Sequence, residues 1–162
     1  MDTTSKFARR VSGLTPFALT GPAKGSKAVN GTKIVQGTFA NCSGGRTLWN
    51  TVLSCEENYE STSKSANLDE THFGWVIEVD PFNPAFQVRK HTALGRFNHE
   101  NTCMDLSKDN RVVVYMGDDK KDAFVYKFIS KNKYNQKATK GNAELLEKFQ
   151  TQADVVVNFH EA

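Results

Sequence analysis

From Lys33 onward the chain is a succession of short apolar runs separated by turn-forming residues. Gly74-Trp75-Val76-Ile77-Glu78-Val79-Asp80 concentrates aromatic and β-branched residues in one run closed by Pro81, the mark of a strand. Arg111–Met116 contains Val112, Val113, Val114 and Tyr115, and Asp122–Ser130 contains Phe124, Val125, Tyr126, Phe128 and Ile129. Both compositions favour the pleated, half-buried environment of a sheet. Shorter strands are predicted at Lys33–Phe39, Thr47–Cys55, Phe86–His91 and Thr102–Leu106. Asp109-Asn110 suits a tight hairpin turn, and Gly117-Asp118-Asp119-Lys120-Lys121 a polar one. Many short strands at close spacing predict an all-β sandwich, barrel or propeller.

The flanks differ. Residues 1–32 are rich in Gly, Pro, Ser, Thr and Lys and are expected to be irregular, with Phe17 and Leu19 in a short extended piece. Residues 131–162 are expected to form a linker and a short helix, Asn142 capping Ala143–Glu147. Gln152–Ala162 fits helix and strand alike. Glu56–Phe73 exceeds normal connection lengths, and such loops are usually functional or mobile. No internal repeat is visible.

Composition narrows the class. The 162 residues are 38% hydrophobic and 24% charged, enough for one packed domain and against wholesale disorder. No apolar run is long enough for a transmembrane helix. A net charge of +3 gives no support for nucleic-acid binding. Seven of the 21 Lys and Arg residues fall between Lys120 and Lys140, a solvated surface by the simplest reading. Cys42, Cys55 and Cys103 form no CxxC pair, so zinc ribbons and thioredoxin motifs lack support. One disulfide with a free thiol, or a single functional thiolate, both remain open. The N-terminus, Met1-Asp2-Thr3-Thr4-Ser5-Lys6, has no apolar signal-peptide core.

Potential ligands gather in Asn41-Cys42-Ser43-Gly44-Gly45 with Cys55-Glu56-Glu57-Asn58, in Arg96-Phe97-Asn98-His99-Glu100, and in Gly117-Asp118-Asp119. Each adjoins a predicted strand end. The glycines beside Cys42 allow close approach of the backbone, and a thiolate there is a soft ligand for iron, zinc or copper. A small buried hydrophobe is the plainer role for such a cysteine. Glu56 and Glu57, adjacent at a strand end, point to opposite faces. His99-Glu100 suits a ligand pair or a hydrated loop. Asp118-Asp119 offers the hard oxygens that calcium prefers, as does any polar hairpin. GxSxG, P-loop, GxGxxG and HExxH patterns are absent.

Taken together, Gly37–Trp49, Leu53–Asn58, Phe73–Pro81, Ala93–Glu100, Arg111–Asp119 and Tyr126–Phe128 resemble, in order, the signature of PhoX-type alkaline phosphatases. Leu19–Gly25 and Gln152–Val155 also fit. The resemblance implies a partial β-propeller of short antiparallel strands and hydrolysis of small phosphomonoesters with iron (Fe3+) and calcium. It implies Cys42 as the thiolate ligand to iron, Glu57 and Glu100 as carboxylate ligands, one or both of Asp118 and Asp119 as calcium ligands, and Glu56 as a weaker metal candidate. No catalytic residue beyond these ligands is implied. Family members are exported, commonly by the twin-arginine route, so a periplasmic or extracellular location follows.

Leu48 and Asn50 stand where the family usually has Pro and Gly, and Asn101-Thr102-Cys103 replaces small residues. These changes alter packing more than ligation. By resemblance the chain is a single incomplete domain, beginning after the first propeller strands and shortened after Ser130. It ends at His160-Glu161-Ala162, before a Met-Asp-Arg-Pro-Glu motif expected to supply a phosphate-contacting Arg and another metal carboxylate. Open blades leave unpaired edges, so self-association or a missing remainder of the propeller is the expected partner. The alternative is a non-catalytic calcium- or phosphate-binding module, or a structural propeller segment.

Overall fold

A computed structural model of the protein describes residues 5 and 9–150, together with the backbone of Val157 and Asn158. The strands are β1 (Pro16–Thr20), β2 (Ile34–Gln36), β3 (Asn41–Arg46), β4 (Val52–Glu56), β5 (Val76–Val79), β6 (Arg89–His91), β7 (His99–Leu106), β8 (Arg111–Asp118), β9 (Phe124–Lys133) and β10 (Val157–Asn158). They form a six-stranded sheet, β2-β1-β6-β5-β4-β3, and a four-stranded sheet, β10-β9-β8-β7. The fold is mostly β with two open sheets; closure into a propeller is not seen among the described residues. The pairing is antiparallel except between β1 and β6, which run parallel and so depart from the all-antiparallel expectation.

The central strand β5 explains its own sequence. Val76 packs into a core shared by both sheets with Leu53, Cys55, Val114, Met116 and Phe128. Ile77 faces the other side, against Phe17, Leu19, Val35 and Trp75. A strand covered on both faces needs a continuous apolar run rather than alternation. Glu78 interrupts that run as a fully buried carboxylate. It accepts hydrogen bonds from Trp49 Nε1 at 2.8 Å and Thr51 Oγ1 at 2.5 Å, and pairs with His91 Nε2 at 2.9 Å. Burial pushes Glu78 up, but His91, Thr51 and Trp49 outweigh it and leave the carboxyl below its ordinary range.

Several elements differ from the sequence expectations. Thr47–Cys55 is not one strand: β3 and β4 form a hairpin, and Asn50 takes a left-handed conformation at its turn, with φ of 64°. Trp49 is apolar because it fills the core from that turn. The Glu56–Phe73 loop contains a short helix, α1 (Tyr59–Ser65). The predicted helix at Ala143–Glu147 is instead part of a run of 3-10 turns over Gln136–Glu147, broken at Thr139 where φ is 43°. Asn142 does not cap it; its side-chain amide donates to the carbonyls of Asn135 and Thr139. Most of Gln152–Ala162 lies outside the described residues. Cys42, Cys55 and Cys103 are all free thiols.

The two sheets meet edge to edge where β3 runs beside β7. Gly45 makes that approach possible: a Cβ there would lie 2.6 Å from the Thr102 carbonyl oxygen and 2.8 Å from Thr102 Oγ1. Gly45→Ala should therefore cost about 1–3 kcal/mol in urea unfolding, and a change within about 0.5 kcal/mol would contradict this packing. The Glu78 cluster carries a pH signature. Because its folded-state carboxyl sits below the ordinary value of 4.5, the unfolded chain takes up the proton first, and stability should fall as the pH drops through and below that value. Glu78→Gln should lose about 1–3 kcal/mol at neutral pH and show a flatter acid limb, read from urea unfolding at a series of pH values.

Candidate metal centre

Two β-bulges face each other across the junction of the sheets. In β3, Asn41 pairs with Glu56 and Gly44 with Ser54, so Cys42 and Ser43 together oppose Cys55 alone. In β7, His99 pairs with Asp118 and Thr102 with Met116, so Glu100 and Asn101 together oppose Gly117 alone. A bulge sends consecutive side chains to the same side instead of alternating them. Glu100 and Asn101 are both exposed while His99 and Thr102 are both buried, and Asn41, Cys42 and Ser43 are all exposed. The bulged pairs then touch: Cys42 Sγ lies 3.5 Å from Glu100 Oε1, and Ser43 Oγ lies 3.3 Å from Asn101 Oδ1.

Glu57 completes the group. Its backbone N–H donates to Ala40 O at 3.0 Å, and its side chain returns toward Cys42. One ligand atom from each of Cys42, Glu57 and Glu100 lies within 4.8 Å of the others. Asp119 adds a fourth acidic group beside Glu57, its own backbone N–H held by Asn98 O at 2.9 Å. Desolvation, together with hydrogen bonding and negative charge from Glu100 and Glu57, pushes the Cys42 thiol up. Desolvation and the contact with Asp119 likewise push Glu57 up. Among the described residues no Lys or Arg forms an ion pair with Cys42, Glu57, Glu100 or Asp119. A thiol crowded among carboxylates suits a bound cation, which removes their repulsion and takes the place of protons.

The remaining sequence candidates are placed differently. Asp118 adjoins the group, but its Oδ1 accepts the Asn98 backbone N–H at 3.2 Å. Glu56 is not brought to the group: it is fully buried and accepts from Lys90 Nζ at 2.6 Å and from the Trp75 backbone N–H at 3.1 Å. The strand alternation that aims Glu57 at Cys42 aims Glu56 away from it. Burial pushes Glu56 up and Lys90 down, while their mutual attraction opposes both shifts. His99 is held beneath the bulge as a neutral ring, its pKa pushed by burial down to about 3. Cys55 is buried below the thiol of Cys42, and burial first, then the negative charges of Cys42 and Glu100, push it up to about 12. Sequence reasoning missed Ser43 and Asn101 as a contact and Lys90 as a partner. The adjacency of the first two to Cys42 and Glu100 was the available signal.

A mostly β protein with a thiol and carboxylates clustered at the meeting of two sheets is the class these observations define. Residues 1–157 match the family model for alkaline phosphatase PhoX, and the chain belongs to that family. The solved structure of Pseudomonas fluorescens PhoX in complex with vanadate, a transition state analogue, is similar at a TM-score of 0.79 and 33% identity. The alignment covers 90% of this chain and 32% of that one, so this chain spans about a third of that protein's length. No curated protein matches the chain.

The like-charged cluster has a measurable consequence. In chelator, Glu100→Gln should unfold at a temperature equal to or above that of the unsubstituted chain, because one repelling charge is gone. With calcium or ferric iron added the order should reverse. A cation at a hundredfold excess over its Kd contributes about 2.7 kcal/mol to the intact site, measured as the rise in Tm.

Proposed function

We propose that the chain carries the thiolate-carboxylate part of a metal-dependent centre that hydrolyses small phosphomonoesters. The convergence of Cys42, Glu57 and Glu100 in a chain of the PhoX family carries this reading. Cys42 loses its proton and holds iron as a thiolate, with Glu57 and Glu100 as carboxylate ligands. Asp119, and the oxygen of Asp118 not used by Asn98, offer hard donors suited to calcium. When bound, such cations neutralise phosphoryl charge and lower the pKa of a coordinated oxygen nucleophile. The protein's own contribution is positional: the two bulges hold the donors on one side of the junction, open to solvent. Asp118 and Asp119 are both pinned to the backbone of Asn98, which ties the acidic turn to the start of β7. Vanadate on the related Pseudomonas fluorescens protein supports a phosphoryl-transfer site of this kind. On this reading the two sheets are a segment of a propeller.

A second reading has its own support. The Cys42, Glu57 and Glu100 group would serve equally in a metal- or phosphate-binding module without turnover. Hydrolysis of p-nitrophenyl phosphate by the purified chain, with calcium and ferric iron supplied, separates the two. The enzymatic reading predicts turnover that vanadate inhibits and that falls by at least about a hundredfold in Cys42→Ala. Cation binding that needs Cys42 but gives no turnover would select the binding module. Neither turnover nor Cys42-dependent cation binding would remove both.

A further inference from the structure

We propose that the buried Glu56–Lys90 ion pair is a positioning device for the metal centre, setting Cys42 and Glu57 in place from beneath. The inference rests on the metal-centre reading above. Glu56 stands directly before Glu57, and its carboxylate is tied on several sides. Oε1 accepts from Lys90 Nζ at 2.6 Å, and Oε2 accepts from the Trp75 backbone N–H at 3.1 Å. Thr38 stands beside the same carboxylate, and its hydroxyl donates to Asn41 Oδ1 at 3.0 Å.

Thr38 opens the segment that delivers Cys42. That segment bends at Ala40, in a left-handed conformation with φ of 48°. Glu57 N–H closes the bend by donating to Ala40 O at 3.0 Å. Thus one carboxylate, carried on the strand end that leads to Glu57, sits beside the segment whose bend leads to Cys42. Lys90 anchors that carboxylate to β6, two strands away in the sheet. Its ammonium also donates to His72 O at 2.8 Å and sits 4.5 Å from the centre of the Phe73 ring. Phe73 in turn meets Phe39, next to Ala40, with ring centroids 4.0 Å apart.

A buried ion pair is a poor source of net stability, because desolvation cancels much of its attraction. What it supplies is directional: short hydrogen bonds with one acceptable geometry. It also adds no net charge beneath a site that is already crowded with carboxylates. Both properties suit a support for metal ligands, whose outer partners commonly change metal affinity by about 10–100-fold when altered.

The test uses cobalt(II), whose thiolate complexes absorb strongly in the near ultraviolet, titrated into the full chain. Three forms are compared: unsubstituted, Glu56→Gln with Lys90→Met, and Thr38→Val. The paired substitution removes both charges at similar volume. Thr38→Val removes only the hydroxyl link and keeps the ion pair, which guards against a paired variant that fails to fold. Expected is a Cys42-dependent charge-transfer band in the unsubstituted chain, with cobalt affinity about tenfold or more weaker and the band shifted or diminished in either folded variant. Unchanged affinity and an unchanged band in a folded variant of either kind would overturn the positioning role. No Cys42-dependent band in the unsubstituted chain would instead remove the metal reading, and this role with it.

Discussion

The structure depends on the close meeting of two sheet edges. β3 and β7 approach so closely that Gly45 has no room for a side chain against Thr102. At the same level each strand carries one extra residue, and each extra residue turns two neighbouring side chains outward together. Without the bulges, alternation would send Cys42 and Ser43 to opposite faces, and Glu100 and Asn101 likewise. With them, a soft donor from one sheet meets a hard donor from the other on the same side of the junction. The site is therefore a property of the pair of edges, not of either sheet.

Electrostatics divides this region into two layers. The outer layer, Cys42, Glu57, Glu100 and Asp119, is all acidic, and the Cys42 thiol and the Glu57 carboxyl are both pushed up within it, a state that invites a cation. The inner layer is compensated: Glu56 has Lys90, and Glu78 has His91, Thr51 and Trp49. The contrast follows from burial. A carboxylate at zero exposure must be paired within the fold, whereas a partly exposed one can wait for a ligand. The buried pairs brace the strands from which the outer donors project.

Much of this was legible in the residues, for reasons that can be named. Val112–Tyr115 and Trp75–Val79 announce their strands because β-branched runs are stable in few other places. Phe17 and Leu19 marked an extended piece in an otherwise irregular stretch, and it became β1. The hairpin of β3 and β4 was hidden because Trp49, though buried, lies in the turn, while the strand beside it, Asn41–Arg46, carries no apolar residue but Cys42. Asn142 as a cap suggested a helix over Ala143–Glu147, but it spends its amide on bridging Asn135 and Thr139 across a break in the backbone. At the site, alternation established that Glu56 and Glu57 diverge but not which of them faces Cys42. That choice is made by Lys90, thirty-four residues on from Glu56 and invisible as a partner until the sheet is assembled.

The central question is whether the Cys42 thiolate holds iron at the junction of the sheets. X-ray absorption at the iron edge of the iron-loaded chain tests this directly. A sulfur neighbour at about 2.3 Å from iron, similar to other metal–thiolate bonds, together with oxygen neighbours, is the predicted first shell, and the sulfur should vanish in Cys42→Ala. Iron bound through oxygen and nitrogen alone, with the same spectrum in both forms, would contradict it.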